Sequence, residues 1–375
     1  MCYQTLSFVE CLEILRQAKA VRAAFFDGHA PYVVPMGFEW FVNGMQPVVC
    51  LMMPKEGRKA EALSVCTQVC LEFEAPDAAG ERRDLVLGLA DPMTRLAPGP
   101  MFGITLGRCA GRVRNAQYTY NGETVRLSPN KKGHHGHGGY RGFDKHVFDV
   151  LECAENRVSL GYRSPDGEEG YPGNLDLKVT YALEGRELRI RYQARCDKDS
   201  LVSLSNHIYW NLAGEDSGSL SSHTARLFSR RVARQDAELV LDGTLLPVEG
   251  TPFDFTRERP LIQKAPSGNL QFDRIGWYDH DFMLENADGL ATQIRDARSG
   301  RGMRVYTDRP GFHFYIYDFT DQGFSGKHGQ LYAGNCGFCV MPMYLPNSVN
   351  VPDWPSPILR AGELYDSTTR FAFEW

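Results

Sequence analysis

Apolar and polar residues alternate with period two over long stretches of this chain. Leu175, Leu177, Val179, Tyr181 and Leu183 interleave with Asp176, Lys178, Thr180 and Ala182, the pattern of a strand with one buried face. Leu188, Ile190, Tyr192 and Ala194 alternate in the same way with Arg189, Arg191, Gln193 and Arg195, and Glu184-Gly185-Arg186-Glu187 between the two runs supplies a hairpin connection. Phe312, Phe314 and Ile316 continue the pattern late in the chain. With 37 glycines and 21 prolines spread as turn punctuation, the pattern predicts an all-β protein, a large antiparallel sandwich. No internal repeat or low-complexity linker interrupts it.

The first residues follow a different period. Ser7-Phe8-Val9-Glu10 reads as a capping box, and Phe8, Cys11, Leu12, Leu15 and Ala18 recur at helical spacing. A short amphipathic N-terminal helix is therefore predicted over residues 8–20.

Composition narrows the function classes. A hydrophobic content of 43% supports a substantial core in a chain of 375 residues, and large all-β folds reach this length undivided. A net charge of −5, with no run of Lys and Arg, gives no footprint for a nucleic-acid partner. No apolar run is long enough to span a bilayer, so no membrane partner is expected. The N-terminus lacks a basic region followed by an apolar stretch and a small-residue cleavage site, and cytoplasmic residence is the expectation. The ten cysteines are irregularly spaced. Cys336-Gly337-Phe338-Cys339 is a lone C-x-x-C without a second pair at zinc spacing, so buried strand cysteines are expected there rather than a metal site.

The segment Leu204-Ser205-Asn206-His207-Ile208-Tyr209-Trp210-Asn211-Leu212 sets a histidine within a strand-like apolar run. Imidazole exchanges protons near neutral pH, which makes His207 a candidate acid or base, with a core histidine bonded to backbone as the alternative. Three further strings accompany it: Gly107-Arg108-Cys109-Ala110-Gly111-Arg112, His137-Gly138-Gly139-Tyr140-Arg141-Gly142-Phe143-Asp144-Lys145 and Gly276-Trp277-Tyr278-Asp279-His280. Gly170-Tyr171-Pro172-Gly173-Asn174, Thr307-Asp308-Arg309-Pro310-Gly311-Phe312 and Pro346-Asn347-Ser348-Val349-Asn350-Val351-Pro352 extend the set. In this order the strings resemble the aldose 1-epimerase (galactose mutarotase) family, from about residue 84 to the C-terminus.

Upstream, Ala30-Pro31-Tyr32-Val33-Val34-Pro35-Met36-Gly37-Phe38, Glu56-Gly57-Arg58-Lys59-Ala60-Glu61-Ala62-Leu63 and Val69-Cys70-Leu71-Glu72-Phe73-Glu74 form a second, less specific set. They resemble the first half of a flavin-binding split barrel of the pyridoxamine-phosphate-oxidase type. The second half is not visible. Half a barrel leaves open edges and an incomplete pocket, so FMN is not expected to bind. The competing reading takes residues 56–90 as the opening strands of the sandwich. It is preferred, dividing the chain into an N-terminal extension, 1–55, and a mutarotase-like domain, 56–375.

The family resemblance implies a galactose mutarotase type β-supersandwich and interconversion of the α and β anomers of a free hexose such as galactose or glucose, with no cofactor or metal. It implies His207 as the acid at the ring oxygen and His137 as a sugar-bonding group assisting there, with the following glycines allowing close backbone approach. It implies Arg112 and Asp279 as holders of sugar hydroxyls; a structural ion pair, even to each other, is the alternative for these two. The adjacent His134 and His135 are expected on an exposed loop. One element departs from the pattern. Counting back from Pro346, Met341 stands where the family places its glutamate base, Met343 replaces a glutamine, and His313 stands where another glutamine is usual. The site is therefore expected to be less polar along this edge, and Pro342 is expected to bulge its strand. Asp308, His280 or a held water are candidate substitute bases. Three functions follow: a slowed aldose 1-epimerase, a catalytically silent carbohydrate-binding protein, or a flavin-binding or regulatory fusion.

Overall fold

The computed structural model describes residues 21–26, 31–36, 38–43, 46–51, 74–76, 82–89, 101–262, 268–316, 324–332 and 334–375. The chain divides into two compact units, Met1–Thr67 and Gln68–Trp375. The helix predicted over 8–20 lies outside the described residues. In the first unit two antiparallel hairpins are described, Val21–Phe26 with Pro31–Met36 and Phe38–Asn43 with Gln46–Leu51.

The second unit is an all-β sandwich. One sheet has nine antiparallel strands in the spatial order Asp149–Ala154, Arg157–Ser164, Leu175–Glu184, Glu187–Cys196, Tyr365–Glu374, Gly302–Thr307, Leu290–Asp296, His223–Leu227, Arg259–Pro260. The other has five: Leu241–Pro247, Arg231–Gln235, Asp279–Met283, Gly311–Ile316, Phe338–Met343. The predicted hairpin is present, with Leu183 opposite Leu188, Glu184 opposite Glu187, and Gly185 at φ 61° in the two-residue turn. Such turns twist the chain in the sense the flanking strands need, and glycine adopts positive φ without steric penalty.

Strand alternation decides where the core and the site lie. Leu175, Leu177, Val179 and Tyr181 of the large sheet share one hydrophobic cluster with Val232, Phe282, Phe312, Phe314, Ile316, Phe338 and Val340 of the small one. Successive side chains point to opposite faces of a strand. The residues in between, Asp279, Asp281, His313, Tyr315, Met341 and Met343, therefore fall on the face of the small sheet turned away from this core, and all six line a cavity there.

Pro342 does not bulge its strand. The register runs unbroken from Gly311 opposite Met343 to Ile316 opposite Phe338. The strand is the last of its sheet, and the Pro342 carbonyl accepts from Ser205 Oγ (2.9 Å) on the outer side. In a strand the N–H and C=O of one residue point the same way, so the donor that proline lacks is one the partner strand never used. Segment 205–210 covers that outer edge, and Trp210 exchanges two backbone hydrogen bonds with Phe338. At one end of the large sheet, the strand Asp149–Ala154 is exposed along its whole length, with a break in register between Val150 and Glu152.

Candidate active site

The cavity has a volume of about 320 Å³, within the range of roughly 300–1,000 Å³ typical of small-ligand sites. His207, His137, Arg112, Asp279 and Met341 all line it, although they are spread over more than two hundred residues of sequence. The structure thus brings these five positions together.

His207 follows the short strand Ser205–Asn206, which pairs with Thr105–Leu106. Its own N–H donates to the Ile104 carbonyl (2.9 Å) and its carbonyl accepts from Gly103 (2.8 Å), so the backbone around the imidazole is fixed on both sides. The ring lies 4.8 Å from Tyr209 and 6.2 Å from each of His137 and Tyr315, with Cys339 Sγ 3.4 Å from Nδ1. Burial, helped by the charge on His313, pushes its pKa down to about 3, so His207 is neutral at pH 7.

His137 sits at φ 50°, just past the pairing of His135–Gly136 with Arg112–Val113. Gly111 N–H donates to its Nδ1 (3.2 Å). In the neutral ring the proton is then on Nε2, available as a donor. Burial, together with His207, Arg112, Lys131 and His313 nearby, holds its pKa well below the usual value. Gly138, at φ 94°, brings the chain against Gly107: a Cβ there would stand 1.8 Å from the Gly107 carbonyl oxygen. The close approach expected of these glycines is therefore real, and only glycine permits it.

Arg112 donates from Nη1 to the Leu239 carbonyl (3.1 Å), and no ion pair joins it to Asp279 among the described residues. The carboxylate of Asp279 instead meets His313, with 2.9 Å between Oδ1 and Nε2. The other ring nitrogen of His313, Nδ1, lies 3.0 Å from Asp281 Oδ1. Burial alone would lower the pKa of His313, but Asp281 and Asp279 outweigh it and push it up to about 10. Asp279 is correspondingly held well below the usual carboxylate range: burial opposes this, and the bond to His313 with the charges of His313 and Arg112 overrides it.

Several expectations need correction. The edge expected to be less polar is apolar at Met341 and Met343, both about 1% exposed, but at His313 it carries a charged ion triad. His134 and His135 are not on an exposed loop. His134 accepts from Asn115 N–H through Nδ1 (2.9 Å), His135 bonds the Ser128 carbonyl and Tyr171, and both are buried. The candidate substitute bases Asp308 and His280 do not line the cavity. Asp308 bonds Arg309, Ser367 and Thr368, while His280 bonds the Gln271 carbonyl and the Asp279 N–H. Cys336 and Cys339 are both buried, as expected of strand cysteines, and no cluster of metal-binding side chains occurs among the described residues. No helix among them is long and apolar enough to cross a membrane.

Sequence reading missed Asp281, Gln235, Tyr209, Tyr315 and Lys131, which also line the cavity. A signal for Asp281 was present, since Asp279-His280-Asp281 on a strand turns both carboxylates to one face.

The sandwich is that of known sugar epimerase structures. It matches the crystal structure of an aldose epimerase homologue from C. elegans with a TM-score of 0.73 and 24% identity, over 90% of this chain and 99% of that one. It matches galactose 1-epimerase from Lactobacillus acidophilus NCFM with a TM-score of 0.72 and 23% identity, over 95% and 98%. Residues 67–372 fit the aldose 1-epimerase family model. Sequence relatives include the galactose mutarotase of Homo sapiens, 37% identical over 310 residues (82% of this chain, 88% of the relative). The aldose 1-epimerase of Escherichia coli K12 is 33% identical over 309 residues (81% and 88%). The chain belongs to the aldose 1-epimerase family.

Proposed function

We propose that this protein binds a free aldose in the cavity and interconverts its α and β anomers, at a rate reduced by the loss of a base. Anomer exchange removes the proton of the anomeric hydroxyl while the C1–O5 bond breaks and its electron pair goes to O5, which takes up a proton. The open aldehyde rotates about C1 and the steps reverse. His207 is the group for the proton at O5. His137 donates from Nε2 at the same edge, and Arg112 and Asp279 hold hydroxyls. Met341 is the departure: a thioether accepts no proton at pH 7, so the anomeric proton leaves to water.

The observation that carries this reading is the convergence of His207, His137, Arg112 and Asp279 on one cavity in a member of this family. The residues fit a polyhydroxylated ligand, offering cationic donors, an ionised acceptor and neutral imidazoles around one cavity. A second reading, a silent carbohydrate-binding protein, is favoured by Met341 alone. Polarimetry on freshly dissolved α-galactose or α-glucose decides between them: equilibration faster than the spontaneous rate is expected, and sugar binding without acceleration would leave only the binding protein.

Two further results are expected. Arg112→Ala and Asp279→Ala should each weaken sugar binding about tenfold to a hundredfold, since hydrogen bonds to charged groups contribute about 1.5–3 kcal/mol. Unchanged affinity in both, measured by titration calorimetry on folded protein, would assign them structural roles. The pH profile follows from His207. Its pKa near 3 makes the acid form scarce at pH 7, and that form grows about tenfold for each unit the pH falls. The enzyme-dependent rate should therefore rise between pH 7 and pH 5, after subtraction of the spontaneous rate. A flat profile over that range would remove His207 from the protonation step.

A further inference from the structure

We propose that His313 is a positioning residue of the sugar cavity, its imidazolium gripped at both ring nitrogens by Asp279 and Asp281 so that Asp279 keeps one oxygen for a sugar hydroxyl. The inference rests on the proposed sugar site and goes beyond it, assigning a role to a residue pair that sequence reading left unconnected.

The geometry supplies the argument. Asp279 and Asp281 stand two residues apart on one strand and so face the same side. Asp281 is directly opposite His313 on the next strand, and the second neighbour of His313 is Met341, which carries no charge. A carboxylate at each end of a planar ring fixes the ring in its plane, and a ring so fixed fixes each carboxylate in turn. Oδ1 of Asp279 is engaged by His313 at 2.9 Å, so a sugar meets Oδ2. The Asp279 main chain is also held, its carbonyl accepting from Gln235 Nε2 (2.7 Å) and its N–H donating to His280 Nδ1 (3.1 Å).

The charge matters as much as the orientation. Two carboxylates facing one wall without a cation between them raise each other's affinity for a proton. A protonated Asp279 is no longer a pure acceptor. With His313 beside it Asp279 remains ionised, and the same positive charge helps keep His207 neutral. The other groups that face this array are Arg112 and His280, which act on Asp279, and His137, which feels His313. His137 and His280 are themselves neutral near pH 7, because burial depresses both. Tyr315 stacks beside the His313 ring at 6.4 Å. None of them can substitute for His313 between the carboxylates.

The sign of the pH dependence follows. His313 binds its proton more tightly in the folded protein than in the unfolded chain, so its contribution is complete below about pH 6.5 and is lost as the pH rises through about 10. Asp279 stays ionised well below the usual carboxylate range. Galactose affinity of the parent should therefore be the same at pH 5 and pH 8.

The test is galactose titration calorimetry of the full chain and of His313→Gln at those two pH values. Glutamine keeps a donor but removes the charge. The variant should bind about threefold or more weakly at pH 5 than at pH 8, as one carboxylate becomes protonated. Should this variant fail to fold, Asp281→Asn with ring ¹⁵N NMR carries the test. The parent should show one histidine protonated on both nitrogens at pH 8.5, and the Asp281→Asn spectrum should lose it. Binding that is equally pH-independent in parent and His313→Gln, or a parent spectrum without such a histidine, overturns the inference alone. A parent that binds no galactose at either pH overturns the sugar site itself, and the inference with it.

Discussion

Met341→Glu should raise the rate of mutarotation by about 10²-fold, and up to about 10⁴-fold, the usual worth of one positioned base. The strand is ready for it. Met341 faces the cavity, its register opposite His313 is regular, and Pro342 leaves no bulge to aim a new carboxylate elsewhere. A second substitution at Pro342 is therefore unnecessary. The site is about 1% exposed, which by itself would drive a new carboxyl toward its neutral form, but the His313 imidazolium lies directly across the ladder and opposes that shift. Adding His207→Ala to Met341→Glu should remove the gain, because a base without its acid partner opens the ring no faster. Polarimetry on the single and double variants reads both effects. No gain in a folded, sugar-binding Met341→Glu protein would mean that this cavity serves some chemistry other than anomer exchange.

Gly138→Ala should disable the site without touching a polar group. The new Cβ would overlap the Gly107 carbonyl oxygen, and the φ of 94° is one that residues with a side chain rarely adopt. Backbone strain of this kind costs on the order of 1–3 kcal/mol before the overlap is relieved. Relief can come only by moving His137 or the Gly107–Arg112 segment, and these are tied together by Gly111 N–H to His137 Nδ1 and by His137 N–H to the Gly111 carbonyl. His137 and Arg112, which both line the cavity, would shift. The expected result is a lower melting temperature together with loss of measurable sugar binding, where Gly133→Ala, at a position with open space around its Cβ, should leave binding intact. Full sugar affinity in Gly138→Ala would show that His137 does not need its present place.

Much of this was legible in the sequence, for reasons specific to each element. The strands 175–184 and 187–196 could be read because one face is buried and the other wet, which writes the period of two directly into the residues. The grouping of His207, His137, Arg112 and Asp279 came from resemblance rather than spacing, since nothing local in the chain says that residues 112 and 279 meet. The Asp279–His313–Asp281 triad was illegible because it depends on register. The alternation of Phe312, Phe314 and Ile316 turns His313 away from the core, but nothing local in the chain says that strand 311–316 lies beside strand 279–283 with His313 opposite Asp281. His134 and His135 were misplaced for a related reason. Their polarity and the glycines around them suggest a loop in water, yet each finds its hydrogen bonds inside the protein, which is the condition under which polar groups are buried.

Pro342 has a consequence unrelated to catalysis. The outermost strands of a sheet invite pairing with another molecule of the same protein, and proline, bulges and charge are the usual deterrents. Here Pro342, Pro247 and Pro260 occupy three of the four outermost strands of the two sheets. The fourth, Asp149–Ala154, carries a break in register at Leu151 and the carboxylates of Asp149 and Glu152. Each border of the sandwich is thus poorly suited to accept a further strand while the protein is folded. Aggregation on heating should accordingly begin with unfolding, with turbidity lagging the loss of tertiary structure rather than preceding it.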